Sequence, residues 1–364
     1  MVYIGSIGLG IPSNNLRQNE VKHLVKNIFN TKKLHRLLPV FDNANIEQRQ
    51  FVVDEEWIKH EHSFATANQY YFNYAKNLCI EAIDNCLKNK TLLNKPVSYN
   101  DIDMILFVSS TGIVTPSLDA YLLNERPFRE DIVRIPMWGL GCAGGAMGLA
   151  RASEWIRLHP TKSALVVCCE LCSLTFQKKD VSTSNIVGTA LFGDGVAATL
   201  LIGSKSPLQS FLPKKRLTIK ETSSFTQKNS TDVMGWNVTS NGLEVIFSKR
   251  IPKLVKTIWK EHVHRFLKQT GRKMEDISSI VAHPGGRKVL EEMEHALAID
   301  RELLRFSYDV LKNHGNMSSS TVIYVLKRWI LQSQNRSFSE DLGILSALGP
   351  GFSSELILLE WVDL

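Results

Sequence analysis

Trp138-Gly-Leu-Gly141-Cys142-Ala-Gly144-Gly145-Ala-Met-Gly148-Leu-Ala150 is the stretch that decides how this chain folds. A largely hydrophobic run, Ile132 to Trp138, stops in a glycine turn. A cysteine follows at once, and small residues lead into a helical pattern that ends near Leu158. A strand that hands over sharply to a helix points the residue at the turn outward and sets it at the positive end of the helix dipole. For a thiol, that position favours the thiolate, the form that attacks carbonyls. An ordinary cysteine, with a pKa of about 8.5, is only a few per cent ionised at neutral pH, so its surroundings decide whether Cys142 is a nucleophile.

The pattern around this turn recurs. Asp101-Ile102-Asp-Met-Ile105-Leu-Phe-Val108 reads as an acid-led buried strand ending in Ser-Ser-Thr-Gly112, and Asp276-Ile277-Ser-Ser-Ile280-Val-Ala282 ends likewise in His283-Pro-Gly-Gly286. Gly193-Asp-Gly195 precedes the run Val196 to Ile202, and Gly349-Pro-Gly351 precedes Leu356 to Trp361. Between these markers each half has a glycine-bearing turn entering an apolar helix, at Cys142 in one and at Gly315-Asn316-Met-Ser318 in the other. Strands alternating with helices in two similar halves indicate an α/β architecture with buried sheets. The Ser-, Pro- and Lys-rich segment Gly203 to Leu217 reads as the join, dividing the chain into halves 1–205 and 206–364. Val289, Leu290, Met293 and Leu297 form an apolar stripe at helical spacing.

With 364 residues, 44% of them hydrophobic, the chain can bury a substantial core as one large domain or two. The longest apolar stretches, such as Ala164 to Cys169 and Val196 to Ile202, are strand-sized and too short to span a membrane. Met1 to Pro12 shows no secretory pattern, and the cysteines at 79, 86, 142, 168, 169 and 172 follow no disulfide framework. A reducing, cytoplasmic enzyme is expected. The net charge of +7 suits an anionic partner. Its clusters (Lys26, Lys32, Lys33, His35 and Arg36; then Lys214, Lys215 and Arg216) lack the aromatic interleaving of a nucleic-acid binder. Phosphates of a nucleotide-like cofactor, an acidic carrier protein or plain solvation of a basic face all fit.

If the halves pack face to face, Cys142, Asn316 and His283 meet at the centre. They then form a nucleophile, an oxyanion donor and a base. Each also has an ordinary reading: His283 as a structural histidine, Asn316 as a helix N-cap, His314 as a mere neighbour. A Cys-His-Asn order also fits papain-like thiol proteases, but their cysteine signature is absent and the helix after Cys142 begins apolar on every side, as a buried helix does. Cys169-Glu-Leu-Cys172 has CxxC spacing without a second ligand pair, so no metal site is expected. His262-Val-His264 lies in a charged helical segment and reads as solvent-facing.

Taken together, Gly139-Leu-Gly-Cys142-Ala-Gly-Gly145, Leu191-Phe-Gly-Asp-Gly195, His283-Pro-Gly-Gly286 with Gly315-Asn-Met-Ser-Ser319, and Gly349-Pro-Gly351 make this chain resemble the type III polyketide synthases. These are the chalcone-synthase-like branch of the thiolase superfamily, and the short shape of Met1 to Pro12 is similar to its bacterial or fungal members. The resemblance implies a five-layered αβαβα thiolase fold and a homodimer. It makes Cys142 the acyl-carrying nucleophile, with His283 and Asn316 as the catalytic histidine and asparagine. Cys142 would be held as thiolate by cationic His283 and loaded from a starter acyl-CoA. His283 and Asn316 would stabilise the enolate formed as malonyl-CoA loses CO2. The substrates are thus acyl-CoA and malonyl-CoA, and no separate cofactor is implied.

Phe192 matches one of two gatekeeper phenylalanines, and Val245 stands where plant members carry the other. Thr175 and Ser318 match cavity-lining positions, Gly349, Pro350 and Gly351 match the substrate-side loop, Cys172 replaces a threonine, and Trp236 replaces a small residue. Lys32, Lys33, Arg36 and Arg49 are candidates for gripping CoA, and Thr115 stands where the family has a methionine that crosses the dimer. Val245 in place of phenylalanine points to long fatty acyl-CoA starters and alkylpyrone products. A β-ketoacyl-carrier-protein synthase III-like single condensation is the alternative, and a non-catalytic acyl-CoA-binding protein of the same fold is a third.

Overall fold

Apolar runs that must be covered on both faces need a helix layer on each side of the sheet they form. In the computed structural model, which describes residues 1–29, 32–333 and 341–363 without the side chains of Lys32 and Lys33, the chain supplies those layers itself. In chain order the strands are β1 (Val2–Gly10), β2 (Asn14–Arg17), β3 (Gln48–Phe51), β4 (Met104–Ser109), β5 (Val133–Trp138), β6 (Ser163–Leu171) and β7 (Asp194–Gly203). Then come β8 (Lys215–Thr226), β9 (Met234–Thr239), β10 (Gly242–Phe247), β11 (Ile277–Ala282), β12 (Leu342–Gly349) and β13 (Ser353–Asp363).

Nine of these form one mixed sheet in the order β11-β12-β13-β8-β1-β7-β6-β4-β5, and β2–β3 and β9–β10 pair separately. The sequence repeat is visible in the pairing. β1-β7-β6-β4 and β8-β13-β12-β11 run through the same succession of antiparallel, antiparallel and parallel neighbours. The halves join edge to edge where β1 pairs with β8, from Val2 opposite Ile219 to Ile4 opposite Leu217. Lys215 to Leu217, read from sequence as part of the join, open β8 instead.

Side-chain alternation sorts the core into layers. Ile105, Phe107, Leu165 and Val167 point outward under the long helix Phe64–Leu87, while Leu106, Val108, Val166 and Cys168 point inward. The inward set meets helices Gly144–Leu158 and Thr321–Ser333, which touch strands of both halves. In the second half Leu345 and Ile357 face those central helices, and Ile344 and Leu358 face the outer helices Lys260–Gln269, Arg287–Leu297 and Arg305–His314. Each half of the sheet thus makes its own layer, giving helix, half-sheet, helix pair, half-sheet and helix, the five layers of the thiolase fold. The helix after Cys142 is buried along most of its length, as its apolar start requires. β5 is the sheet's outer edge, and its Val133 and Trp138 are exposed. Among the described residues, no helix is long and apolar enough to cross a membrane.

Close backbone packing fixes the outer layer. At Gly8 a Cβ would lie 2.1 Å from the Ala82 carbonyl and 2.2 Å from the Cys86 amide, so β1 and helix Phe64–Leu87 touch with no side chain between them. Gly8→Ala is therefore expected to destabilise the fold by about 1–3 kcal/mol through overpacking. A urea titration should show a lower midpoint at unchanged slope; an unaltered midpoint would mean that the two elements are not locked together.

Candidate active site

The turn that carries Cys142 is built from glycines held against a second loop. Gly139 and Gly141 have φ of 86° and 49°, conformations open to glycine at little cost. A Cβ on Gly141 would lie 2.8 Å from the Pro350 ring, and one on Gly349 would lie 2.5 Å from the Ala143 Cβ. Gly349-Pro350-Gly351 is thus the floor of the nucleophile turn. Of the three, Pro350 faces the catalytic cavity, whereas Gly349 packs beneath the turn and Gly351 bends the chain at φ 69°.

Cys142, His283, Asn316 and Ser318 line one cavity together with Phe192, Trp236, Val245, Phe247, Ile251, Val289 and Pro350. Cys142 Sγ lies 3.9 Å from Asn316 Oδ1 and 4.0 Å from Asn316 Nδ2. Asn316 is fully buried; its Nδ2 donates to the Gly285 carbonyl at 3.4 Å and its Oδ1 accepts from the Ser318 amide at 2.9 Å. Ser318 holds a left-handed φ of 48°, a strained conformation for a side chain with Cβ, and its carbonyl accepts from Thr321 Oγ1 at 2.9 Å. His283 follows β11, its amide donating to the Ser346 carbonyl at 2.7 Å. Its ring is buried and neither nitrogen has a partner, so both remain available to a ligand.

Burial opposes charge on each group alone. It pushes the Cys142 thiol up to about 12, with Ser318 and Asn316 pulling the other way and the Glu170 carboxylate adding to the rise. It pushes His283 down to about 3. A lone thiolate or a lone imidazolium is therefore disfavoured, so the thiolate expected from sequence needs a group to take the thiol proton, and His283, with two unpartnered ring nitrogens in the same cavity, is the candidate.

The wall opposite is aromatic. Phe192 caps helix Thr183–Leu191, with its ring 5.9 Å from that of Trp236 and 6.1 Å from that of Phe247. Val245 pairs across the β9–β10 ladder with Trp236. Behind Phe192 and Val245 lies a second, apolar chamber lined by Val21, Phe51, Ile58, Cys172 and Phe176. Thr175 is absent from the lining of the Cys142 cavity: it lines this chamber and an adjoining open cleft of about 980 Å³, with its hydroxyl turned to the Cys172 carbonyl at 2.8 Å.

Two further sequence expectations change. Arg49 is completely buried and cannot reach solvent to grip a phosphate. His262 is buried too, bridging Ser354 Oγ at 2.8 Å and Ser223 Oγ at 3.0 Å, while His264 is exposed. Arg36 and Thr115 are exposed, and the side chains of Lys32 and Lys33 lie outside the described residues. One group was overlooked. Glu170, buried at the end of β6, accepts from the Ser110 amide at 3.0 Å and from Ser319 Oγ at 2.6 Å, and burial pushes its carboxyl up to about 7. Its signal was a single acid in the otherwise apolar run Ala164 to Leu171.

Comparison with known proteins agrees with this geometry. The family profile of chalcone and stilbene synthases, N-terminal domain, matches residues 2–206, and that of the C-terminal domain matches residues 219–363. A chalcone synthase homologue of Bacillus subtilis (strain 168) is 43% identical over 363 residues, covering 99% of each chain. The alpha-pyrone synthesis polyketide synthase-like protein of Mycobacterium tuberculosis is 27% identical, over 98% of this chain and 90% of its own. The solved structure of 1,3,6,8-tetrahydroxynaphthalene synthase from Streptomyces coelicolor A3(2), a bacterial type III polyketide synthase, covers 100% of both chains with a TM-score of 0.91 at 26% identity.

Paired ionisation has a measurable signature. Iodoacetamide is expected to alkylate Cys142 at about pH 7, and His283→Ala is expected to slow that reaction at least about tenfold while leaving a rate that climbs into the alkaline range. The sign follows from the raised thiol: without its proton acceptor, Cys142 stays protonated until the pH nears its own high value. Identical pH–rate profiles for the two proteins, followed by mass spectrometry of the Cys142 peptide, would refute the pairing.

Proposed function

The chain belongs to the chalcone and stilbene synthase family, the type III polyketide synthases, and on that premise we propose that it extends fatty acyl-CoA starters with malonyl-CoA and closes the products to alkylpyrones. Proton transfer from Cys142 to His283 yields the attacking thiolate. The thiolate attacks the starter's thioester carbonyl, CoA leaves as a thiolate that takes the proton from His283, and an acyl-Cys142 thioester remains. The now neutral cavity presents the His283 ring and Asn316 Nδ2 to the thioester oxygen of malonyl-CoA. As the carboxylate leaves as CO2, its bonding pair becomes the enolate that these donors stabilise. The enolate carbon attacks the Cys142 thioester, a carbon–carbon bond forms as the carbon–sulfur bond breaks, and Sγ is free to take the lengthened chain back. Decarboxylation itself supplies the nucleophilic electron pair, so the reading calls for no metal or redox group.

The starter class rests on one observation: Val245 lines the catalytic cavity, the apolar chamber and the open cleft alike. A small side chain at the point shared by three hollows leaves a passage for an alkyl tail away from Cys142. The walls from Val21, Phe51, Ile58 and Phe176 would cover that tail at about 0.8 kcal/mol per buried methylene. Trp236 fills the catalytic side of Val245, so added room lies behind the gate and not in front of it. The exposed edge of β5 suits pairing with a second copy, which supports a homodimer. A reducing cytoplasm, where the CoA thioesters are found, is the compartment this chemistry fits.

Incubation with malonyl-CoA and acyl-CoAs of graded length, read by mass spectrometry, should give pyrones from long starters. Val245→Phe should shorten the longest starter accepted while short ones still react. Turnover of malonyl-CoA alone to a tetrahydroxynaphthalene, or of short aromatic starters alone, would overturn the alkylpyrone reading. Cys142→Ala should abolish acylation and all extension.

A further inference from the structure

Among the described residues, Arg49 stands out as a guanidinium with no exposure at all. Burying such a charge is costly, so the groups it meets show what the cost secures. Nη1 donates to the Thr189 carbonyl at 2.7 Å and to the Phe192 carbonyl at 2.6 Å, and Nη2 donates to Gln18 Oε1 at 2.7 Å. Both carbonyls belong to the end of helix Thr183–Leu191, where the negative end of the dipole favours a cation. Gln18 extends the grip, its Nε2 donating to the Ala190 carbonyl at 2.9 Å. Asp194 lies near enough to favour the charged guanidinium, although burial lowers Arg49 to about 9.

The remaining carbonyl of that helix end faces the other way. Leu191 accepts from the Asn316 amide at 2.8 Å, and the Asn316 carbonyl accepts from the Gly193 amide at 3.0 Å. Asn316 is thereby clipped to the residues on both sides of Phe192. The stem of Arg49 also fits against the residue before Asn316, since a Cβ on Gly315 would lie 2.6 Å from Arg49 Cδ. One rigid corner thus carries two functional side chains: the Phe192 ring at the gate and the Asn316 amide beside Cys142.

We propose that Arg49 is a positioning residue for the condensation: by fixing the end of helix Thr183–Leu191 it sets both the Asn316 amide against Cys142 and the Phe192 ring at the mouth of the apolar chamber. The inference rests on the roles given above to Cys142, His283 and Asn316. A residue that acts in this way changes turnover and product length together, because both depend on the same corner.

Arg49→Lys keeps the charge, but one ammonium cannot span two carbonyls and Gln18 as the guanidinium fork does. The expected result is a protein that still folds but melts at a lower temperature, since buried hydrogen bonds of a charged group are lost, with kcat lowered at least about tenfold and KM for malonyl-CoA within about twofold. The product-length distribution from graded acyl-CoAs should shift. In Arg49→Lys/Phe192→Ala, the length shift should add little to that of Phe192→Ala alone, since both changes act through one ring. Should Arg49→Lys fail to fold, Gln18→Ala removes one tether and leaves the charge, and about a threefold fall in kcat with the same direction of length shift is expected. Unchanged kcat and lengths in a folded variant, or additive length shifts in the double variant, would overturn the proposal. The parent enzyme run alongside separates this from the wider reading: failure of the parent to extend any acyl-CoA would defeat both.

Discussion

Two helix starts meeting backbone to backbone are the constraint from which the rest of the molecule follows. A Cβ on Gly145 would lie 2.3 Å from the Ser319 carbonyl, and one on Gly144 3.1 Å from the Ser319 Cβ. Only a bare backbone fits there. That approach brings the first turns of helices Gly144–Leu158 and Thr321–Ser333 together across the molecule's internal twofold, and it sets Cys142 Sγ about 4 Å from the Asn316 amide. Serines 318 to 320 suit the same crowding, being small, and their hydroxyls need partners once buried. Ser319 finds Glu170 at 2.6 Å, and Ser320 finds the carbonyls of Cys168 and Gly195 at 3.0 and 2.8 Å.

The same packing that assembles the site removes it from water, and that sets its electrostatics. A single charge is penalised at Cys142 and at His283, while a proton passed between them leaves the cavity neutral. In the proposed condensation, low dielectric would also strengthen hydrogen bonds to the developing enolate. His283 keeps two unpartnered ring nitrogens and Ser318 keeps a left-handed backbone, both of which cost stability in the resting protein. Costs of this kind gather where a substrate will complete the arrangement.

The residues legible in the sequence were those whose identity the backbone dictates. Gly141, Gly145 and Gly349 announce close approach because no other residue fits, and the Cys142, His283 and Asn316 blocks follow from the glycines beside them. Charged and polar side chains were harder to place. Arg49 read as a surface cation because arginine is seldom buried; it goes inside since Gln18, Thr189 and Phe192 converge on it from distant segments. His262 was misplaced for the same reason, its partners Ser223 and Ser354 lying on β8 and β13. The match at Thr175 gives a position on the chain and not the hollow that the residue lines, which is the chamber behind Phe192 together with the open cleft.

By itself the sequence determined the alternation of strands and helices, the repeat, the nucleophile turn and the family, since apolar periodicity and obligatory glycines are local properties. Tertiary structure alone decided that the halves share an edge through β1 and β8, that Arg49 and Glu170 lie buried beside the site, and that three hollows meet at Val245. Those outcomes depend on which remote groups can satisfy a buried charge and on the volume left when two sheets close over a helix pair. Neither quantity is a property of any one stretch of chain.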